Sequence, residues 1–247
     1  MKVLLAIVNC HSRENFSNAI RETWLPTKPN DLDVRFFRGR GAVREDREDE
    51  VFLDCSDAYL DLPEKVQCIY KWAYDHGYDY VAKCDDDVVL RPVQWFQGFS
   101  RGDFSGWQDP GCKVGEIRTP WGFLYTCSRR SMELVISAKL PGLPGSMWNH
   151  VHGNDEAFVS TVLHYNGIFL THDPKLFIWQ GDRASLLSQA PAKRSLRFNR
   201  GVFPKKEMDT GVYATVIYLN WTGWHNTGPE VILSEFHKVW DIMKGFR

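Results

Sequence analysis

Apolar positions fall in short runs separated by Gly, Pro and charged residues, and their spacing predicts strands alternating with helices. Lys2–Asn9 encloses a continuous apolar run, Val3 to Val8, of the kind a strand buried on both faces shows. Phe16–Trp24 has helical spacing, with Asn15 or Ser17 as its cap and Pro26 beyond its end. Val34–Phe37 reads as a second strand, broken by Gly39 and Gly41. A helix opens at Pro63, where a missing N–H costs nothing, runs to His76 and stops at Gly77. Tyr80–Lys83 is the next strand.

Farther on, Phe123–Cys127 reads as a strand, and Ser128–Lys139 and Asn154–Asn166 read as helices, the second closed by Gly167. Ile168–Thr171 and Phe177–Trp179 are short strands, and Pro229–Lys244 is an amphipathic helix. The alternation predicts an α/β fold, a mostly parallel central sheet flanked by helices, in a single domain over residues 1–247. Between Asp182 and Lys206 the periodicity fails, with seven basic residues and one acid, leaving either a solvated run or a loop that contacts an anion.

Composition narrows the classes. With 247 residues, 43% apolar and 14% aromatic, the chain has material for a sizeable core. Thirty Lys and Arg against 31 Asp and Glu give a net charge of −1, which speaks against a general nucleic-acid binder. No apolar stretch is long enough to span a membrane, and the six apolar residues at the N-terminus are too few for a secretory leader. That predicts a cytoplasmic chain, or a Golgi-lumenal one if it is the catalytic part of a longer anchored protein. Six cysteines (Cys10, Cys55, Cys68, Cys84, Cys112, Cys127) lack Cys-x-x-Cys spacing and read as buried thiols rather than a zinc site. Sequons at Asn15 and Asn220 are no more than chance supplies.

Two acidic clusters carry the candidate chemistry. In Lys83-Cys84-Asp85-Asp86-Asp87-Val88, an apolar strand delivers three consecutive carboxylates to its C-terminal end, where open α/β sheets bind ligands. Three such charges repel unless a cation neutralises them, and a hard ion such as Mn2+ or Mg2+ suits their oxygens. Alternation along an extended chain would turn Asp85 and Asp87 the same way. An acidic turn in solvent is the plain alternative. The second cluster, Asn154-Asp155-Glu156, stands at a helix start, where Asn154 can cap and the dipole favours anions; either acid could instead face a cleft as a general base.

An ordered set of motifs ties these clusters together. Arg13 precedes Ile20-Arg21-Glu22-Thr23-Trp24; Glu50-Val51 precedes Asp57-Ala58-Tyr59-Leu60-Asp61-Leu62-Pro63-Glu64-Lys65, and Trp72 precedes the Asp cluster. Pro120-Trp121-Gly122-Phe123-Leu124-Tyr125 and Asp155-Glu156-Ala157-Phe158-Val159 follow. Over residues 1–170 the chain resembles the β-1,3-glycosyltransferase family of galactosyl- and N-acetylglucosaminyltransferases and Fringe. It departs from the family in having Asp61-Leu62-Pro63 for the usual Asn-Leu-Thr, and in exchanging the acids of Glu-Asp-Val.

The resemblance implies a GT-A-like fold, with a nucleotide-binding half over 1–90 and an acceptor half over 91–247. It implies an inverting, metal-dependent transfer of galactose, N-acetylglucosamine, glucose or xylose from a UDP-sugar to a hydroxyl of a glycan or glycoprotein, in β-1,3 linkage. Mn2+ or Mg2+ would be held by Asp85, Asp87 and a late histidine, His225, with His172 as its rival. Arg13, Arg21, Asp57, Lys65 and Asp86 would surround the nucleotide, and Trp121 and Gly122 would border the donor sugar. Glu156, or Asp155 given the exchange, would be the base. Trp221 and Trp224 could stack on a sugar or pack in a core. A catalytically inactive sugar- or nucleotide-binding module and a metal-dependent phosphohydrolase are the competing readings.

Overall fold

The computed structural model describes residues 1–41, 47–108, 113–139, 153–173, 176–179, 214–217 and 229–244. Its helices are α1 (Glu14–Glu22), α2 (Leu62–Asp75), α3 (Pro92–Gly98), α4 (Arg129–Ser137), α5 (Asp155–Tyr165) and α6 (Pro229–Lys244). Two compact units form: Met1–Arg13, Asn30–Asp85 and Phe99–Asp173 make the first, and Glu14–Pro29, Asp86–Gly98 and Pro174–Arg247 the second.

The first unit is organised by β1 (Val3–Val8), all of whose residues are buried, as the unbroken apolar run requires. β2 (Leu32–Arg38) and β4 (Tyr80–Asp85) flank it in parallel, so that Ala6 lies between Arg35 and Lys83. β3 (Glu50–Phe52) adds a parallel edge to β2. On the other side β9 (Leu124–Ser128) runs antiparallel to both β4 and β6 (Phe104–Gly106), and β10 (Thr171–His172) pairs parallel with β6. The order is β10-β6-β9-β4-β1-β2-β3, a mostly parallel sheet with β9 inserted against the grain. β7 (Lys113–Val114) and β8 (Ile117–Arg118) form a separate small hairpin.

One face of this sheet buries Leu4, Ala6, Val8, Val81, Tyr125 and Cys127 together with Val66, Ile69 and Tyr70 of α2, Met132 of α4 and Phe158 of α5. The Leu, Val, Ile, Met and Phe side chains among these contribute about 1.5–3 kcal/mol each when fully buried. Local chemistry sets the helix ends. Pro63 sits in the first turn of α2, the Ser128 side chain accepts from the Ser131 N–H at the start of α4, and Gly77 and Gly167 take φ of 74° just past α2 and α5.

The second unit packs α1 on α6, with Phe16 edge-on to Phe236 at 6.2 Å. The Trp24 indole is buried and donates to the Val88 carbonyl at 3.0 Å. Val88 opens β5 (Val88–Leu90), which pairs antiparallel with β12 (Ala214–Ile217); β11 (Leu176–Trp179) runs parallel to β12.

Some expectations need correction. Asn15 and Ser17 are not caps, because α1 starts earlier, at Glu14, and the Ser17 hydroxyl bonds back to the Glu14 carbonyl at 2.8 Å. Asn154 occupies the position before α5 but makes no side-chain capping bond. The strand expected over Ile168–Thr171 shortens to Thr171–His172. Cys10, Cys55, Cys68, Cys84 and Cys127 are free thiols, with Cys10 and Cys68 only partly buried; Cys112 lies outside the described residues. Among the described residues, no helix is long and apolar enough to cross a membrane.

Candidate active site

Lys83 and Asp85 are two residues apart in β4, so their side chains leave the same face of the sheet. A lysine inside a buried strand must be paired, and this one is. Its ammonium is 2.5 Å from the Gly122 carbonyl, 2.6 Å from Asp85 Oδ1 and 3.2 Å from Asp155 Oδ2, with 2% of the side chain exposed. Tyr125, directly opposite Lys83 in β9, donates its hydroxyl to Asp155 Oδ2 at 2.6 Å. The sheet thus presents one cation and one phenol to the first residue of α5.

The two acids of α5 have different surroundings. Asp155 is buried, and that burial drives its carboxyl above the usual range; Lys83 opposes the shift and Asp85 adds to it. Desolvation works against the Lys83 ammonium, but Asp155 and then Asp85 outweigh it, so its pKa moves upward and it stays protonated. Glu156 keeps part of its side chain in solvent. Desolvation first, then the Asp155 charge, pushes its carboxyl up to about 7 against the pull of Lys83. Glu156 is therefore a reachable carboxylate that exchanges its proton near neutrality, as a general base should. Asp155 is the inward anchor of the pair.

Gly122 explains how Glu156 is accommodated. A Cβ at that position would lie 2.7 Å from Glu156 Oε2, so only glycine lets the carboxylate lie against the chain here. The close approach is to a protein carboxylate, where the resemblance implied a sugar. Tyr59, in the turn Tyr59–Asp61, is another neighbour. Its phenol is pushed upward by burial and then by the charges of Glu156, Asp155 and Asp85, yet 55% of the residue is exposed. Its ring approaches Gly153, where a Cβ would meet Tyr59 Cε1 at 3.2 Å.

A second polar cluster gathers beyond the C-terminal ends of β1 and β2. Asp57 Oδ1 accepts from the Gly39 N–H at 2.6 Å and from Lys65 Nζ at 2.5 Å. Asp57 Oδ2 lies 3.3 Å from the His11 N–H and 3.4 Å from His11 Nε2, and Lys65 also donates to the Asn9 carbonyl. Asp57 and Lys65 are thus brought together, as partners of each other. Arg13 ends the adjoining turn, with its carbonyl accepting from Asn9 Nδ2 at 3.1 Å. Arg21 belongs to the second unit and donates to Asn18 Oδ1 at 3.3 Å.

Asp85 ends the Asn30–Asp85 segment of the first unit; Asp86, which is buried, and Asp87 begin the Asp86–Gly98 segment of the second. Strand alternation does not relate Asp85 to Asp87, because residues 86 and 87 form a turn between β4 and β5. The Trp121 N–H donates to the Trp107 carbonyl at 2.9 Å. His172 Nδ1 accepts from the Gln108 N–H at 3.1 Å, and its ring meets Trp107 edge-on at 5.1 Å. His225, Trp221, Trp224 and the basic stretch 182–206 lie outside the described residues.

Among the described residues no group of three or more His, Cys, Asp or Glu side chains is placed to hold a metal ion. The carboxylates at 85 and 87 are nonetheless donors a hard divalent cation accepts, and such ions usually complete their shell with water and substrate phosphate oxygens. Lys83 engages only one of the two Asp85 oxygens. The donor chemistry therefore fits an ion shared between protein and ligand.

Lys83, Tyr59 and Tyr125 stand within the motifs, but the resemblance assigns them no role. For Lys83 a signal was present, since a lysine among Val81, Ala82 and Cys84 has to find a buried counter-charge.

Comparison with known proteins agrees with the motifs. Residues 16–105 match the galactosyltransferase family model. A probable β-1,3-galactosyltransferase 12 of Arabidopsis thaliana is 33% identical over a 95-residue alignment, with 30% of this chain and 25% of that protein covered. The chain therefore matches about a quarter of that relative's length. The crystal structure of galactosyltransferase LgtC with donor and acceptor sugar analogues superimposes with a TM-score of 0.50 and 10% identity, over 97% of this chain and 95% of that one. That likeness establishes a shared α/β fold.

Proposed function

We propose, from the premise that residues 16–105 carry galactosyltransferase-family sequence in a chain with a glycosyltransferase fold, that the protein transfers a hexose or pentose from a UDP-sugar to a hydroxyl of a glycan, inverting the anomeric centre. The observation that carries this reading is the contrast within the acid pair of α5. Asp155 is locked inward by Lys83 and Tyr125, while Glu156 is left reachable with a carboxyl pushed up to about 7.

In this reading Glu156 takes the proton of the acceptor hydroxyl as its oxygen bonds to the anomeric carbon. The bond from that carbon to the diphosphate breaks, and UDP departs with the electron pair. A positioned base of this kind contributes about 10²–10⁴-fold. Lys83 pairs with Asp85 and Asp155 and pulls the Glu156 carboxyl down against burial and the Asp155 charge, so that it is not driven still higher. Asp85 and Asp87 would hold Mn2+ or Mg2+, with His225 as the further ligand implied by the resemblance; when bound, the ion stabilises charge on the leaving diphosphate. Asp57, Lys65 and Arg13 would border the nucleotide beyond β1 and β2, Arg21 and Asp86 completing the set, with Trp121 and Gly122 beside the donor sugar.

The test is a screen of UDP-galactose, UDP-N-acetylglucosamine, UDP-glucose and UDP-xylose for UDP release, with and without glycan acceptors and with Mn2+ or EDTA. The expected result is acceptor-stimulated release from one donor, abolished by EDTA and restored by Mn2+. UDP binding without turnover would mark an inactive binding module. Phosphate release from simple phosphoesters would make the protein a phosphohydrolase.

A further inference from the structure

One and two turns farther along α5 from Glu156, Ser160 and His164 line a cavity of about 290 Å³ that shares no lining residue with the site above. Its floor is apolar, formed by Phe104 and Ile117, and Phe169 stands at its edge with 65% of its surface exposed. The Phe169 ring meets the His164 imidazole edge-on at 5.3 Å. Glu116 and Arg118, both exposed, flank the cavity from the β7–β8 hairpin.

Ser160 is the unusual member. It is 2% exposed, and among the described residues its Oγ has no hydrogen-bond partner. The ordinary outlet for a buried helical hydroxyl is the carbonyl one turn back, and the adjacent Thr161 uses it, donating to Ala157 at 2.7 Å. Ser160 leaves that outlet unused beside an open space. A single water, with a share of about 30 Å³, would fill only about a tenth of the cavity. The volume is instead close to the lower end for small-molecule sites, about 300 Å³.

We propose that this cavity is a second binding site, for one pyranose ring of a neutral glycan. The lining states the chemistry. Opposite formal charges on Glu116 and Arg118 cancel, which disfavours an ionic ligand. A carboxylate, a guanidinium, an imidazole and a hydroxyl together supply both acceptors and donors, as vicinal sugar hydroxyls need. The apolar floor and the exposed Phe169 ring offer a face for the C–H side of the ring. Binding here requires neither a donor nucleotide nor turnover, so the inference stands apart from the transfer reaction.

Lactose is the probe, titrated into 15N-labelled protein without nucleotide and followed by amide chemical shifts. The expected result is saturable shifts at Ser160, His164 and Phe169, unchanged by Glu156→Gln and weakened at least 10-fold by Phe169→Ala and by Ser160→Val. Both variants should leave UDP release from the preferred donor at the wild-type rate. Shifts confined to the surroundings of Lys83 and Glu156 would overturn the proposal. So would a response to phenol with none to lactose, which would make the cavity an aromatic pocket, or the absence of any shift at millimolar lactose. If either variant fails to fold, Ser160→Ala, which removes only the hydroxyl, gives the same reading: weaker lactose binding upholds the site and unaltered binding refutes it.

Discussion

Replacing Lys83 by methionine keeps the length of the side chain and removes its charge. In the native protein that charge faces Asp155 at 3.2 Å and Asp85 at 2.6 Å, and donates to the Gly122 carbonyl at 2.5 Å. Asp155, with 4% of its side chain exposed, would retain only the Tyr125 hydroxyl among these contacts. Removing one member of a buried ion pair costs about 3–5 kcal/mol. For a chain of this size each kcal/mol moves the melting midpoint by about 2–4 °C, so a fall of roughly 6–20 °C follows. The loss also carries a pH signature. The Asp155 carboxyl already lies above its ordinary value of 3.8 in the folded protein, and loss of Lys83 raises it further. A group that holds its proton more tightly when folded contributes stability below its unfolded pKa and loses it as pH rises through the folded one. Urea midpoints at pH 5 and pH 8 should therefore show a larger deficit at pH 8, and Asp155→Asn added to Lys83→Met should recover part of it. A deficit under about 1 kcal/mol, equal at both pH values and untouched by the second substitution, would mean that Lys83 is not the counter-ion of Asp155.

Gly122→Ala should leave the fold within about 1 kcal/mol of wild type, because the new Cβ meets the movable end of Glu156 at 2.7 Å rather than backbone. Turnover should nonetheless fall by at least about tenfold as that carboxylate is displaced, given that small misplacements at the reacting centre are costly; calorimetry and UDP release measured together separate the two effects. Gly39→Ala should behave oppositely, destabilising by about 1–3 kcal/mol in urea titration, since its Cβ would meet the Cys55 carbonyl at 2.7 Å with little room to move. The pH profile of kcat/KM should rise through an apparent pKa of about 7, because Glu156 must lose its proton before it can accept one. A rate independent of pH between 5 and 8 would remove Glu156 from the base role.

Much of the fold was legible from pattern alone. β1 announced itself as an uninterrupted apolar run, and α2, α5 and α6 were bounded by Pro63, Gly77, Gly167 and Pro229 close to where they begin and end. What periodicity missed was short or set by long-range pairing. β5 has three residues, hidden behind the acidic cluster, and is defined by its antiparallel partner β12, whose Val216 pairs with Val88 from far along the chain. β6 likewise is defined by its long-range pairing with β9 and β10. The cap of α1 was misjudged because Ser17 satisfies its hydroxyl on a backbone carbonyl within the helix, which composition does not distinguish from capping.

The site was legible in its residue types but not in their division of labour. Helical spacing put Asp155 and Glu156 about 100° apart and left both at the border of the apolar stripe. What separates them is Tyr125 and Lys83, two side chains from neighbouring strands that converge on Asp155 alone. That convergence depends on the β4–β9 register, which no local window contains. Alternation failed at Asp85 and Asp87 for a related reason: the chain turns at residues 86 and 87 to pass from β4 into β5.

The measurement that bears most directly on the account is the turnover of Glu156→Gln beside Asp155→Asn, at saturating donor and acceptor and with UDP affinity determined on the same preparations. Glu156→Gln should keep its fold and its UDP affinity and lose about 10²–10⁴ in kcat. Asp155→Asn should show its main effect in stability, through the Lys83 and Tyr125 contacts, with a smaller loss of turnover. Near-normal turnover in Glu156→Gln would contradict the assignment of the base, and a severe loss confined to a well-folded Asp155→Asn would give that role to the inward acid instead.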